Sequence, residues 1–298
     1  MKRCFGAAVF CFACFYLAGC NLEPKEEPIW AHVKIGDLAP WKGEKHGDVT
    51  KIKSIGFSVY VFEAPVGRME ALSGIWDVLV GVDSGFEGGN GGLHGGRVRF
   101  NSYDAFKGNS FAIGLGQGRV WPRFAGVLNV AGASKMSTLS LLATDAGANA
   151  IPVGFVGREQ TVFYVKSDGS IDAAGVGPGR FVLQIRVARV PGLRRLCSVD
   201  VEPAFSAPMR VGMSGSGVLG FDSVGFSLKM SPGDFFVLGP AELSTNGMNL
   251  SSYFFERSSP SSGGRMFLVP SGDSHEGSQA YYGSVVRIYM VVCTAINN

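Results

Sequence analysis

Residues 281–296 read YYGSVVRIYMVVCTAI. From Tyr282 to Thr294 the run is dominated by valine, isoleucine and aromatic residues, the side chains that suit a pleated surface. It is too long and too apolar for an edge strand, whose outer row of backbone groups faces water, so it is expected at the centre of a sheet. Working back from it, Met266–Val269, Tyr253–Glu256, Phe235–Leu238, Val224–Met230, Cys197–Phe205, Gly179–Val190, Thr161–Lys166 and Ile151–Val156 are all strand-like, with turn residues between them. Ser167-Asp168-Gly169-Ser170 is a tight-turn sequence, because Asp-Gly tolerates positive φ. No amphipathic helix is expected to interrupt the series. About nine short strands at this spacing predict an antiparallel, sandwich-like β domain over residues 143–298.

Upstream the pattern changes. Lys53–Glu63 alternates as a strand, and Met69, Leu72, Ile75, Trp76 and Leu79 fall at helical spacing within Gly67–Val80. Arg97–Phe100 and Phe111–Leu115 read as strands, Tyr103–Asn109 as a helical turn, Val120–Val130 as a helix and Met136–Leu142 as a strand. Residues 50–142 therefore form a small unit in which strand and helix alternate. The expected fold class is α+β, this unit being followed by the antiparallel β-rich domain.

The N-terminus is of another kind. Lys2 and Arg3 precede an uncharged apolar run from Cys4 to Leu17, the layout of a secretory signal and short for a membrane-spanning helix. The run ends in Leu17-Ala18-Gly19-Cys20, which resembles the lipobox of bacterial lipoproteins. That resemblance implies cleavage after Gly19 and lipid attachment at Cys20. The alternative is an ordinary signal peptide whose Ala18-Gly19 precedes a cysteine. Each buried methylene contributes about 0.8 kcal/mol, so the two or three chains of a lipoprotein cysteine would hold the protein permanently. Asn21 after the cysteine, in place of the aspartate that retains such proteins at the inner membrane, implies the outer membrane, facing the periplasm. Asn21–Pro28 (NLEPKEEP) reads as a stalk with a reach of roughly 25 Å. The expected layout is a signal peptide over 1–19, anchor and linker over 20–49, and the two units over 50–142 and 143–298.

The sequence has 298 residues, with 43 glycines and 14 prolines, a usage that suits a strand-rich and turn-rich envelope protein. Lys2 and Arg3 are two of its 27 basic residues, so loss of residues 1–19 takes the net charge from +3 to +1 against 24 acidic residues. No clustered basic face remains to suggest nucleic acid. Beyond Cys20, only Cys197 and Cys293 persist after cleavage. In an oxidising compartment they can pair in a disulfide, or stand as two separate buried thiols.

Catalytic and metal-ligating patterns are missing from the sequence. His32, His46, His94 and His275 are far apart and in no metal-ligand spacing. The glycine-rich stretches Gly85–Gly96 and Gly114–Gly118 lack the residues and spacing of phosphate and dinucleotide loops. Ser214, within Gly212-Met213-Ser214-Gly215-Ser216, lacks the final glycine of a nucleophile elbow. Asp168 and Asp172 share a hairpin, with Asp104, Asp145 and Asp222 elsewhere, and no carboxylate pair is defined. Trp30, Trp41, Trp76, Trp121, Tyr281 and Tyr282 are explained mostly by core packing, with Trp41 and Tyr281 in polar surroundings that would suit a surface.

The arrangement around Ile55–Val80 and Val120–Leu142, followed by a β-rich half, resembles periplasmic modules of secretin-type assembly proteins. Glu159–Val165 (EQTVFYV) and Val199–Phe205 (VDVEPAF) are similar to envelope lipoproteins of planctomycete-type bacteria. The anchor, the stalk and the missing catalytic set lead to the expectation of a lipid-anchored, non-enzymatic structural or assembly component with an envelope protein partner, no cofactor and no nucleic acid. The alternative expectation is a module that binds or hydrolyses envelope carbohydrate or peptide.

Overall fold

The long C-terminal run is a strand because it is buried on both faces, and a strand with no solvent face shows no alternation. In the computed structural model the chain is described over residues 54–81, 98–144, 147–208, 217–243, 249–257, 267–269, 279–281 and 284–297. The signal peptide, Cys20, the stalk and the glycine-rich run 85–96 lie outside the described residues. Along the chain the elements are β1 (Ser54–Pro65), α1 (Met69–Val78), β2 (Val80–Gly81), β3 (Val98–Phe100), α2 (Tyr103–Gly108), β4 (Phe111–Gln117), α3 (Trp121–Val130) and β5 (Ser134–Ala143). There follow β6 (Ala148–Val156), β7 (Gln160–Val165), β8 (Ile171–Val176), β9 (Gly179–Arg189), β10 (Cys197–Ser206), β11 (Val218–Gly220), β12 (Phe226–Met230) and β13 (Asp234–Pro240). The last are α4 (Leu250–Phe255), β14 (Glu256–Arg257), β15 (Phe267–Val269), β16 (Gln279–Tyr281) and β17 (Val285–Asn297).

The fold is β-rich α+β, built from antiparallel sheets with a few helices. One sheet has the order β2-β4-β13-β17-β1-β5, with β14 also on β17; a second has the order β3-β12-β10-β9-β6, with β11 on β10. Strand β17 is central, as its composition predicts, pairing with β1 from Pro65↔Val285 to Ser54↔Asn297 and with β13 on its other side. Tyr289, Val291 and Cys293 of β17 join Phe57 and Val59 of β1, and Val199 and Val201 of β10, in one apolar cluster that collects side chains from both sheets. The alternate residues Val286, Ile288, Met290 and Val292 join Leu72 and Ile75 of α1 and Phe124 and Leu128 of α3 in a second cluster. Strand β9, with a partly exposed outer face, keeps the alternation that β17 has lost.

One sequence expectation is corrected. Tyr253–Glu256 is not a strand: α4 runs through Phe255, and so a helix does interrupt the β series. Asn249 caps it, its side chain accepting from the Ser252 N–H at 3.1 Å. Five of its six residues are buried, so neither a period of two nor one of 3.6 survives in the sequence. Strand β8, opposite β7 across the Asp168-Gly169 turn, carries little strand signal in the sequence because Ile171–Val176 is small and mostly exposed. Gly169 takes φ +80° there, as the turn requires. Strands from both sides of position 142 share a sheet. Strands β1, β2, β4 and β5 share a sheet with β13, β14 and β17, while β3 crosses to the other.

Tyr289 ties α4 to the central strand, its hydroxyl donating to the Phe254 carbonyl at 3.1 Å. Burial pushes its phenol up to about 12. Tyr289→Phe keeps the ring but removes the hydrogen bond to that carbonyl. It is expected to cost about 1–2 kcal/mol in urea unfolding with an unchanged m-value; a midpoint equal to wild type would show that the bond contributes nothing.

Candidate functional site

Strand β6 is the last strand of its sheet, and Pro152 within it is tolerated because no neighbour needs its missing N–H. The register with β9 slips between Pro152 and Gly154, making Val153 the extra residue of a bulge. The Val153 carbonyl accepts from Arg287 Nη1 at 2.9 Å. The same guanidinium meets Glu63 of β1, its cross-strand partner, with Nε and Nη2 each 2.7 Å from Oε1. Arg287 is thus one fork with prongs on both sheets.

Over this fork lies an open groove of about 830 Å³. Its walls come from β6 (Pro152–Val156), Gln160 of β7, Arg180 and Phe181 of β9, Ser252 and Tyr253 of α4, Glu256 and Arg257 of β14, and Arg287. Phe181 and Tyr253 stack at 4.9 Å with planes 28° apart. Gly154 permits the close approach of α4, since a Cβ there would stand 2.7 Å from the Tyr253 carbonyl oxygen. Burial raises the Tyr253 phenol above its ordinary value. On the outer side Phe155 is 74% exposed, directly across the ladder from exposed Arg180. Neither Arg180 nor Arg257 has an ion pair among the described residues. Exposed guanidinium forks beside an exposed ring are equipped to hold a carboxylate or other anion attached to an apolar or planar group.

A second polar cluster lies on β10. Glu202 and Asp222 hydrogen-bond to each other, and Arg186 stands 3.5 Å from Glu202. Burial first, and then the bond and charge of Asp222, raise the Glu202 carboxyl above its ordinary range. The sequence named Asp222 but not its partner, because the two meet only through the fold. Gly220 makes room for the pair: a Cβ there would come within 2.8 Å of Asp222 Oδ1 and closer still to Glu202.

Of the other residues picked out from sequence, Asp168 and Asp172 organise their hairpin. Asp168 accepts from Ser170 Oγ at 2.6 Å and from its N–H at 2.9 Å, which holds its carboxyl below the usual range. Asp172 accepts from the Tyr164 hydroxyl and pairs with Lys166 at 3.8 Å. Cys197 and Cys293 are brought together in the core. Trp121 is buried and Trp76 half-buried against the second cluster. Cys20, the four histidines, Ser214, Asp145, Trp30, Trp41 and Tyr282 lie outside the described residues, as does the side chain of Tyr281. Among the described residues no three histidine, cysteine or carboxylate side chains gather as a metal site, and no helix is long and apolar enough to cross a membrane. Sequence reasoning missed the arginines because Arg180, Arg257 and Arg287 have no common spacing; the proline and glycine inside β6 were the available signal of an edge.

No family model matches the chain, and no curated protein matches it. Among solved structures it is similar to a chain of the Klebsiella pneumoniae type II secretion system outer membrane complex, with PulD, PulS and the PulC HR domain. Identity is 11%, the TM-score is 0.16, and the match covers 82% of this chain and 39% of that one. A likeness of that size leaves both fold and function to be argued from the residues themselves.

Two measurements test the site's electrostatics. Arg287→Met leaves Glu63 buried without its cation, an expected loss of about 3–5 kcal/mol, and adding Glu63→Leu recovers most of it; equal stability of single and double variants would contradict this. A raised Glu202 pKa stabilises the fold fully below the ordinary glutamate value, and this is lost as pH rises through the folded-state value. Glu202→Gln should therefore melt above wild type at pH 7–8 and together with it at pH 4. A constant difference across that range would refute the assignment.

Proposed function

We propose that this protein is a lipid-anchored component of the bacterial cell envelope, attached through Cys20 and non-enzymatic, whose β-rich body holds an acidic segment of an envelope partner protein. The observation that carries the binding reading is the groove. Exposed Arg180 and Arg257 border it without ion pairs among the described residues, beside exposed Phe155 on an edge strand. Burying a guanidinium with a carboxylate gives short, charge-assisted and often bidentate bonds, and an exposed ring beside them supplies apolar contact. The anchor reading rests on Lys2, Arg3, the uncharged run to Leu17 and the Leu17-Ala18-Gly19-Cys20 sequence. A sandwich-like packing of the two sheets, supported by their common apolar cluster, would make the groove a notch at one rim of the body. The outer membrane is the favoured address, from Asn21.

The reading is tested in two steps. Intact mass of the membrane-extracted protein is expected to show loss of residues 1–19 plus acyl chains, and Cys20→Ala is expected to abolish both; an unlipidated mass in the wild type would overturn the anchor. A photo-crosslinking residue in place of Phe155 is then expected to capture one envelope protein in cells, and Arg180→Glu with Arg257→Glu to reduce capture at least tenfold. Absence of capture, with binding instead on a panel of envelope glycans, would favour a carbohydrate-binding module.

A further inference from the structure

Cys197 opens β10 of one sheet and Cys293 lies late in β17 of the other, 96 positions apart in sequence. Both are thiols here, both are fully buried, and both belong to the cluster that collects side chains from the two sheets. The Cys197 thiol donates to the Met230 carbonyl at 3.4 Å, and its sulfur lies within hydrogen-bonding reach of the Cys293 thiol. Neighbouring main-chain contacts fix each one: Cys197 lies between Arg189 and Met230 in its sheet, and the Cys293 carbonyl accepts from the Gly233 N–H. Two thiols delivered to one point from separate sheets are a preassembled cross-link.

We propose that Cys197 and Cys293 form a disulfide that staples the two sheets together, and that the bond forms before the core between them closes. The order follows from access. Exchange requires a thiolate to reach a disulfide sulfur of the oxidant, and neither cysteine of the folded protein touches solvent. The hydrogen bond to Cys197, and then burial, push the Cys293 thiol up, while the same contact lowers the Cys197 thiol, so it is burial out of reach of an oxidant that protects the closed pair. In the open chain the chemistry balances with a disulfide-bearing oxidant. One cysteine thiolate attacks the oxidant and releases its first thiolate. The second cysteine thiolate then attacks the mixed disulfide and releases the other. The two cysteines lose two protons and two electrons, and the oxidant's disulfide becomes two thiols.

Pairing inside the cell rests on the envelope location proposed above, whereas pairing during refolding does not. The full chain is extracted from cell membranes, denatured in the presence of N-ethylmaleimide and digested for peptide mapping. The expected map holds a linked Cys197–Cys293 peptide pair, two hydrogens lighter than the separate peptides and unlabelled until reduced. The Cys20 peptide in the same digest reads the anchor, so failure of the location is seen separately. In a second arm the reduced chain meets oxidised glutathione either after folding or while still in urea before dilution. The link is expected only in the sample oxidised before folding, and that sample should melt about 10 °C above its reduced form. Labelled thiols at both positions in the chain oxidised from urea would overturn the pairing. Equal linkage in the two samples would overturn the order of events.

Discussion

Strand β17 is buried on both faces, and that constraint governs the rest of the structure. A two-sided strand needs an apolar layer above and below it. The helices α1 and α3 supply one, and a cluster shared with the second sheet supplies the other. Its one charge among the buried residues, Arg287, cannot stand alone there, because an ion out of water needs a counter-charge and partners for its remaining donors. Glu63 provides the charge from the neighbouring strand, and the Val153 carbonyl takes a further prong.

That further prong links the central strand to the groove. A bulge frees the Val153 carbonyl from the regular β6–β9 ladder, and a glycine next to it lets the carbonyl end of α4 come close. The aromatic floor of Phe181 and Tyr253 and the arginines on the rim are arranged around this point, which is also where the sheet ends. An edge strand with unpaired backbone groups is ordinarily a hazard for unwanted association. Here proline, the bulge and flanking charge interrupt it, and the same features shape a surface with recognition chemistry.

The pairs Cys197–Cys293 and Glu202–Asp222 share a property with Arg287–Glu63. Each couples residues that lie far apart in the chain and meet only through the fold. Glu63 and Arg287 are 224 positions apart in the chain. Contacts of this kind form only as distant parts of the chain come together. In the folded protein the thiol pair has no access to solvent.

The sequence by itself determined which stretches are strands and helices wherever periodicity or an apolar run was strong: β1, α1, β4, α3, β5, β9, β10 and the central place of β17. It also supplied the N-terminal pattern on which the anchor reading rests. It could not show α4, whose burial on nearly all sides erases any period, nor β8, whose small exposed residues carry no strand signal. It could not show that residues on both sides of position 142 share a sheet, because strand order depends on contacts between distant segments rather than on local propensity. The candidate site was hidden for the same reason. Arg180, Arg257, Arg287, Phe155 and Tyr253 are unremarkable in their own neighbourhoods, and only the tertiary structure, by placing a bulged edge strand against α4 and the central strand, brings their charges and rings to one groove.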